Sequence, residues 1–100
     1  MDDTLQGLLL AFGRRVRELR QEQGFSQESF ADKCGVHRTF MGTIERGESN
    51  LSFQNIAKVA ETLGVTLSVL FTDLESAARK RGGVEPAVSS KKRASRERRL

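Results

Sequence analysis

Apolar residues between Leu5 and Gln23 fall at Leu5, Leu8, Leu9, Phe12, Val16 and Leu19. That is the i, i+3, i+4 stripe of an amphipathic helix. Arg14, Arg15, Arg17 and Arg20 decorate the rest of it, and Gly24 is the expected stop, with Phe25 as the apolar residue after such a cap. Ser26 is a good N-cap for a second helix of about two turns, whose inner face carries Phe30, Ala31 and Cys34. Gly35 can take the positive φ needed to reverse the chain, Val36 can plug into the core, and His37 opens a third helix with Met41 and Ile44 inward. Gly47 is its expected end. After the polar stretch Gly47-Glu48-Ser49-Asn50, Ser52 caps a fourth helix in which Ile56, Val59, Ala60 and Leu63 repeat the helical spacing up to Gly64. Thr66 caps a short fifth helix presenting Leu67, Leu70, Phe71 and Leu74. No stretch alternates convincingly enough for a strand, so the expected class is all-α with five helices.

The apolar pattern fades after Phe71 and Leu74, which divides the chain into a start of helix 1 with an N-terminal extension (1–10), a folded domain (11–75) and a tail (76–100). Charge divides it at nearly the same place. Residues 1–78 hold eight Lys/Arg against eleven Asp/Glu, a net of −3, while residues 79–100 hold nine against two, a net of +7. The basic balance of the whole, +4, therefore belongs to the tail. With a Gly-Gly pair, serines and the chain's one proline, that segment cannot bury enough apolar surface to offset the entropy of ordering it, and it is expected to be disordered. It reads either as a solubilising tail or as an arm for phosphates.

One hundred residues allow one modest core and leave no second lobe to frame a catalytic cleft. With one histidine, no tyrosine, no glycine-rich phosphate loop and no metal-ligand spacing, no enzyme, metal site or cofactor is expected, and no small-molecule effector site is indicated. The lone Cys34 reads as a small half-buried spacer beside a turn. No apolar run approaches the roughly 18 residues of a membrane span, and two acids precede Leu8-Leu9-Leu10, so a cytoplasmic protein is expected.

Two short helices joined by a tight glycine turn inside a helical core describe the DNA-binding helix-turn-helix. Between Arg14 and Phe71 the chain, with the text RRVRELRQEQGFSQESFADKCGVHRTFMGTIERGESNLSFQNIAKVAETLGV, resembles the phage Cro/repressor-like (Xre-type) regulators. The diagnostic pieces are Gly-Phe-Ser-Gln at the start of helix 2, Phe30-Ala31, the Gly35-Val36 turn, Ile44-Glu45-Arg46-Gly47, and Leu63-Gly64-Val65. The His37-Arg38-Thr39-Phe40 opening and the Ile-Glu-Arg close are also similar to the controller proteins of restriction-modification systems.

The resemblance implies roles for particular residues. Arg38, Thr39 and Thr43 would face base edges, with Arg38 gripping guanine O6 and N7 through two parallel donors and the threonines offering a hydroxyl or a methyl to thymine. Ser26, Gln27, Arg46 and Asn50 would contact phosphates, fixing position without specifying sequence. Arg20 and Glu45 would form an ion pair tying helix 1 to the end of helix 3. A homodimer on a two-fold symmetric operator of double-stranded DNA is implied, with Leu67, Val69, Leu70, Phe71 and Leu74 as the expected interface and Leu8-Leu9-Leu10 as the rival surface. Three positions depart from the family habit. His37 stands where Ser or Thr caps the recognition helix, Ser29 where Glu would complete a capping box, and Gly42 sits inside helix 3 at about 1 kcal/mol relative to alanine. Gly42 reads equally as an opening for DNA to approach the backbone or as avoidance of a clash. A different class remains open beside the regulator: a protein-interaction module, such as the antitoxin of a toxin-antitoxin pair.

Overall fold

The computed structural model describes residues 3–80. Its helices run in the order α1 (Asp3–Glu22), α2 (Gln27–Cys34), α3 (Arg38–Glu45), α4 (Phe53–Leu63), α5 (Leu67–Leu70) and α6 (Leu74–Lys80). The described residues contain no strand. The five expected helices are present, and the disordered basic segment expected over 76–100 lies, from residue 81 onward, outside the described residues.

The starts of α2, α4 and α5 and the turn between α2 and α3 follow from local chemistry. Ser26, Ser52 and Thr66 have extended backbone and accept from the amides of Ser29, Asn55 and Val69, each a donor that the helix itself leaves unpaired. The first of these is reciprocal: Ser29 N donates to Ser26 Oγ at 2.9 Å and Ser26 N donates to Ser29 Oγ at 3.0 Å. Ser29 thus closes the capping box that its departure from Glu had put in question. Gly35 carries φ 79° between α2 and α3, and in that conformation the Val36 amide reaches back to Ala31 O at 3.0 Å. A β-carbon would be strained at that φ.

The core is one cluster. Phe30, Met41, Ile44, Leu70, Val16 and Val59 are fully enclosed, each such residue contributing roughly 1.5–3 kcal/mol by leaving water. Phe12 and Phe71 pack with ring centroids 5.9 Å apart, joining α1 to the end of α5. Arg15 Nη2 donates to the Val69 carbonyl at 2.9 Å, a second tie between the same elements.

The C-terminal part differs from the sequence reading in two respects: the fifth helix is shorter, and residues 76–80, expected as the start of the disordered tail, are helical. α5 stops at Leu70 and does not continue through Leu74. Phe71 is its C-cap, Asp73 adopts φ 57°, and the chain turns into α6, which packs along α1. Ala78 is buried there, and Ala77 shares a groove with Ala11, Arg14 and Arg15. Small side chains let two helices approach closely, so α6 is held by α1 and not by an apolar stripe of its own.

α1 also meets α3 at unusually short range. A β-carbon on Gly13 would stand 2.4 Å from the Ile44 carbonyl oxygen and 2.5 Å from that of Glu45. One turn earlier, the backbone of Leu10 lies where a β-carbon of Gly47 would be, at 2.8 Å from Leu10 Cα. The C-terminal end of α3 therefore rests directly on the α1 backbone, and this contact sets how α3 is held.

Candidate nucleic-acid interface

α3 buries Met41 and Ile44 and turns its other side outward. Arg38 and Thr39, in its first turn, are exposed. Their helix starts at His37, whose Nδ1 accepts from Thr39 N at 3.1 Å, so the imidazole does the capping work of the usual hydroxyl. An exposed arginine at the first turn of a helix that is clamped from behind can enter a duplex groove without unfolding anything.

Thr43, one turn on, is half-buried, and its hydroxyl is already engaged. It donates to Phe40 O at 2.7 Å and accepts from Ser49 Oγ at 2.6 Å. The expected choice between hydroxyl and methyl therefore narrows to the methyl, and Thr43 acquires a second task, pinning the loop after α3.

At the back of α3 a buried polar cluster joins three helices. Arg20 Nε donates to Glu45 Oε2 at 2.6 Å, Arg20 Nη2 to Glu45 Oε1 at 3.0 Å, and Arg20 Nη1 to Phe25 O at 2.9 Å. Gln27 Nε2 donates to Glu45 Oε1 at 3.1 Å. The Glu45 carboxylate thus ties the end of α3 to α1 and to the start of α2. An amide carries two N–H donors, so Gln27 retains one for another acceptor.

The remaining expected phosphate contacts lie around this cluster. Ser26 is exposed with its oxygen committed to the cap. Arg46 is exposed and paired with Glu48, Nε to Oε1 3.1 Å, and Asn50 is exposed in the loop after it. Phe53, at the first position of α4, is 67% exposed, and the spacing of Ile56 and Val59 gave no inward role for it. The residues that sequence reasoning missed are Ser49, which orients Thr43, and Gly13, which lets α1 carry α3. The only signal for Gly13 was a glycine inside a helical stripe.

The expected dimer residues divide by burial. Leu70 faces the core and is fully enclosed, so it is no surface residue of this fold. Leu67, Phe71 and Leu74 are half-buried against the core, and Val69 is 41% exposed. In the rival cluster Leu9 is core and Leu8 and Leu10 are half-buried. Among the described residues no group of His, Cys, Asp and Glu could hold a metal ion, and no helix is long and apolar enough to cross a membrane.

The helix-turn-helix family model HTH_3 matches residues 16–70. The control protein C.MunI of a Mycoplasma species is 40% identical over 72 residues, 71% of this chain and 97% of that protein. The crystal structure of the restriction-modification controller C.AhdI from Aeromonas hydrophila superposes with TM-score 0.61 at 44% identity, covering 63% of this chain and 96% of that one. The controller C.Esp1396I, solved as a tetramer with its natural 35 base-pair operator, superposes with TM-score 0.64 at 29% identity over 72% of this chain and 95% of that one. On the family match and the shared helices, this chain belongs to the Xre/Cro-type helix-turn-helix family of DNA-binding transcription regulators.

Proposed function

We propose that this protein is a homodimeric regulator, working in the cytoplasm, that reads a two-fold symmetric operator of double-stranded DNA through α3 in the major groove. The observation that carries the reading is the pair Arg38 and Thr39, exposed on the first turn of a helix whose opposite side is locked into the core. Arg38 reads guanine, Thr39 offers its hydroxyl or methyl, and Thr43 offers its methyl. Gln27, Arg46 and Asn50, with the unpaired amides that follow Ser26 at the start of α2, hold phosphates on either side. One recognition helix covers only a few base pairs, so two copies are needed, with half-sites roughly 34–36 Å apart. Val69, flanked by the half-buried Leu67, Phe71 and Leu74, is the apolar surface through which the copies meet. The tetrameric controller on its operator supports an assembly of several copies.

Selection of bound sequences from a random duplex pool tests the proposal: it should return a symmetric site. A stable dimer with no salt-dependent DNA complex would instead favour the protein-interaction module. Arg38→Ala should weaken binding to the selected site by roughly 1–3 kcal/mol and relax the base preference at one position of each half-site, as read by repeating the selection. An unaltered preference would remove Arg38 as a reader.

The basic tail adds phosphate contacts to this interface. Seven of its Lys/Arg lie beyond Lys80, and they offset the net −3 of residues 1–78. A chain truncated after Lys80 should bind selected and random duplexes more weakly by similar factors. Its plot of log affinity against log salt should also be shallower, by about 0.9 for each phosphate that the tail had neutralised. An unchanged slope would leave the tail only a solubilising role.

A further inference from the structure

Gly42 lies in the middle of α3, where alanine would be the better helix former, and it is buried. What covers it is polar. A β-carbon there would stand 3.0 Å from Arg46 Nη1, 3.8 Å from Arg46 Cζ and 3.5 Å from Gln27 Oε1. Arg46 arrives from the next turn, because helical side chains lean toward the N-terminus of their own helix and cover the residue four back. Gln27 arrives from the start of α2. Each is held at a second point, Arg46 Nε by Glu48 Oε1 at 3.1 Å and Gln27 Nε2 by Glu45 Oε1 at 3.1 Å.

Two phosphate-seeking side chains from different elements thus lie over a stretch of backbone that carries no side chain of its own. We infer that Gly42 is a positioning residue, whose missing side chain leaves room for the Arg46 guanidinium beside Gln27 Oε1, so that Arg46 presents its donors to a DNA phosphate. The inference rests on the DNA-binding reading above. It also decides between the two roles that the sequence left level for Gly42. DNA cannot approach a backbone already covered by two side chains, so the glycine avoids a clash, and the clash it avoids lies within the phosphate contact. A β-carbon would displace Arg46 first, since its guanidinium is the nearer group and the free end of a flexible chain. The core is untouched, so the loss appears in binding and not in stability.

The test compares Gly42→Ala, Arg46→Ala and the double variant in the full chain. Each is melted thermally and titrated, over a range of salt concentrations, against a random duplex and against a duplex selected from a pool. Gly42→Ala should melt at or above the parent temperature and bind both duplexes about tenfold more weakly, the scale of one charged hydrogen bond. Its salt slope should be shallower by about 0.9. The double variant should bind like Arg46→Ala alone, because the glycine acts through the arginine. Parent-like binding and slope for Gly42→Ala would overturn the inference. So would a loss confined to the selected duplex, or a double variant weaker than Arg46→Ala by the full Gly42→Ala factor. If the parent chain itself binds no duplex, the functional reading fails and takes this inference with it.

Discussion

Gly13→Ala is expected to lower the unfolding free energy by roughly 2–4 kcal/mol, at the upper end of what overpacking does. The melting temperature should fall by on the order of 10–20 °C, given the small size of the domain. Helix propensity alone predicts the opposite sign, a gain of about 1 kcal/mol for alanine in a helix interior. Geometry decides against it. The added methyl would overlap the carbonyl oxygens of Ile44 and Glu45 at 2.4 and 2.5 Å, and these are backbone atoms of α3, with no flexible end to swing aside. Either α1 bends or the C-terminal turn of α3 lifts. Because α3 carries Arg38 and Thr39, DNA affinity should fall even at temperatures where the variant remains folded. Thermal unfolding followed by circular dichroism, with a binding titration well below the transition, separates the two effects. A variant as stable as the parent would mean that α1 and α3 do not touch in this way.

The glycine illustrates where the sequence stops being readable. An isolated glycine in a helical stripe announces that something needs room, but its partner lies some thirty residues further on, and only the crossing of the two helices identifies it. The first four helices were legible because each has its own apolar spacing and its own cap, both local signals. α6 was not, because its inward contacts include Ala77 and Ala78. Alanine carries too little apolar area to mark a face, and the positive charges beyond it made the segment resemble the tail. The sequence places Leu70 among the expected interface residues for a related reason. A four-residue helix has no periodicity with which to tell its inner leucine from its outer ones, and the choice is made by the core cluster that encloses it.

At the interface, the outward position of Arg38 and Thr39 follows from the helical repeat once Met41 and Ile44 are taken as inward. The state of the Thr43 hydroxyl does not. A threonine within a helix can turn its hydroxyl to a carbonyl three or four residues back, and here the Phe40 carbonyl takes it while Ser49 donates from outside the helix. Spacing alone also gave no sign that Gln27 shares its acceptor with Arg20. Sequence placed the residues on the right elements; the hydrogen bonds between elements were beyond it.

Removing one member of the Arg20–Glu45 pair should be the most damaging polar change in the domain. The two side chains are only 9% and 4% exposed, so the charge left behind could not be rehydrated without opening the core. Glu45→Ala would leave the Arg20 guanidinium with the Phe25 carbonyl alone and deprive Gln27 of its acceptor. Arg20→Ala would leave the carboxylate with one neutral donor. Each single change should lower stability by roughly 3–5 kcal/mol, the range for a broken buried pair, measured by urea unfolding. The double variant should lose clearly less than the two losses combined, since it strands no charge. The Arg46–Glu48 pair supplies the contrast. Its members are 58% and 57% exposed, and breaking it should change stability by no more than about 1 kcal/mol. If Arg20→Ala and Glu45→Ala cost as little as that surface pair, then the end of α3 is held by packing on Gly13 and Leu10 alone.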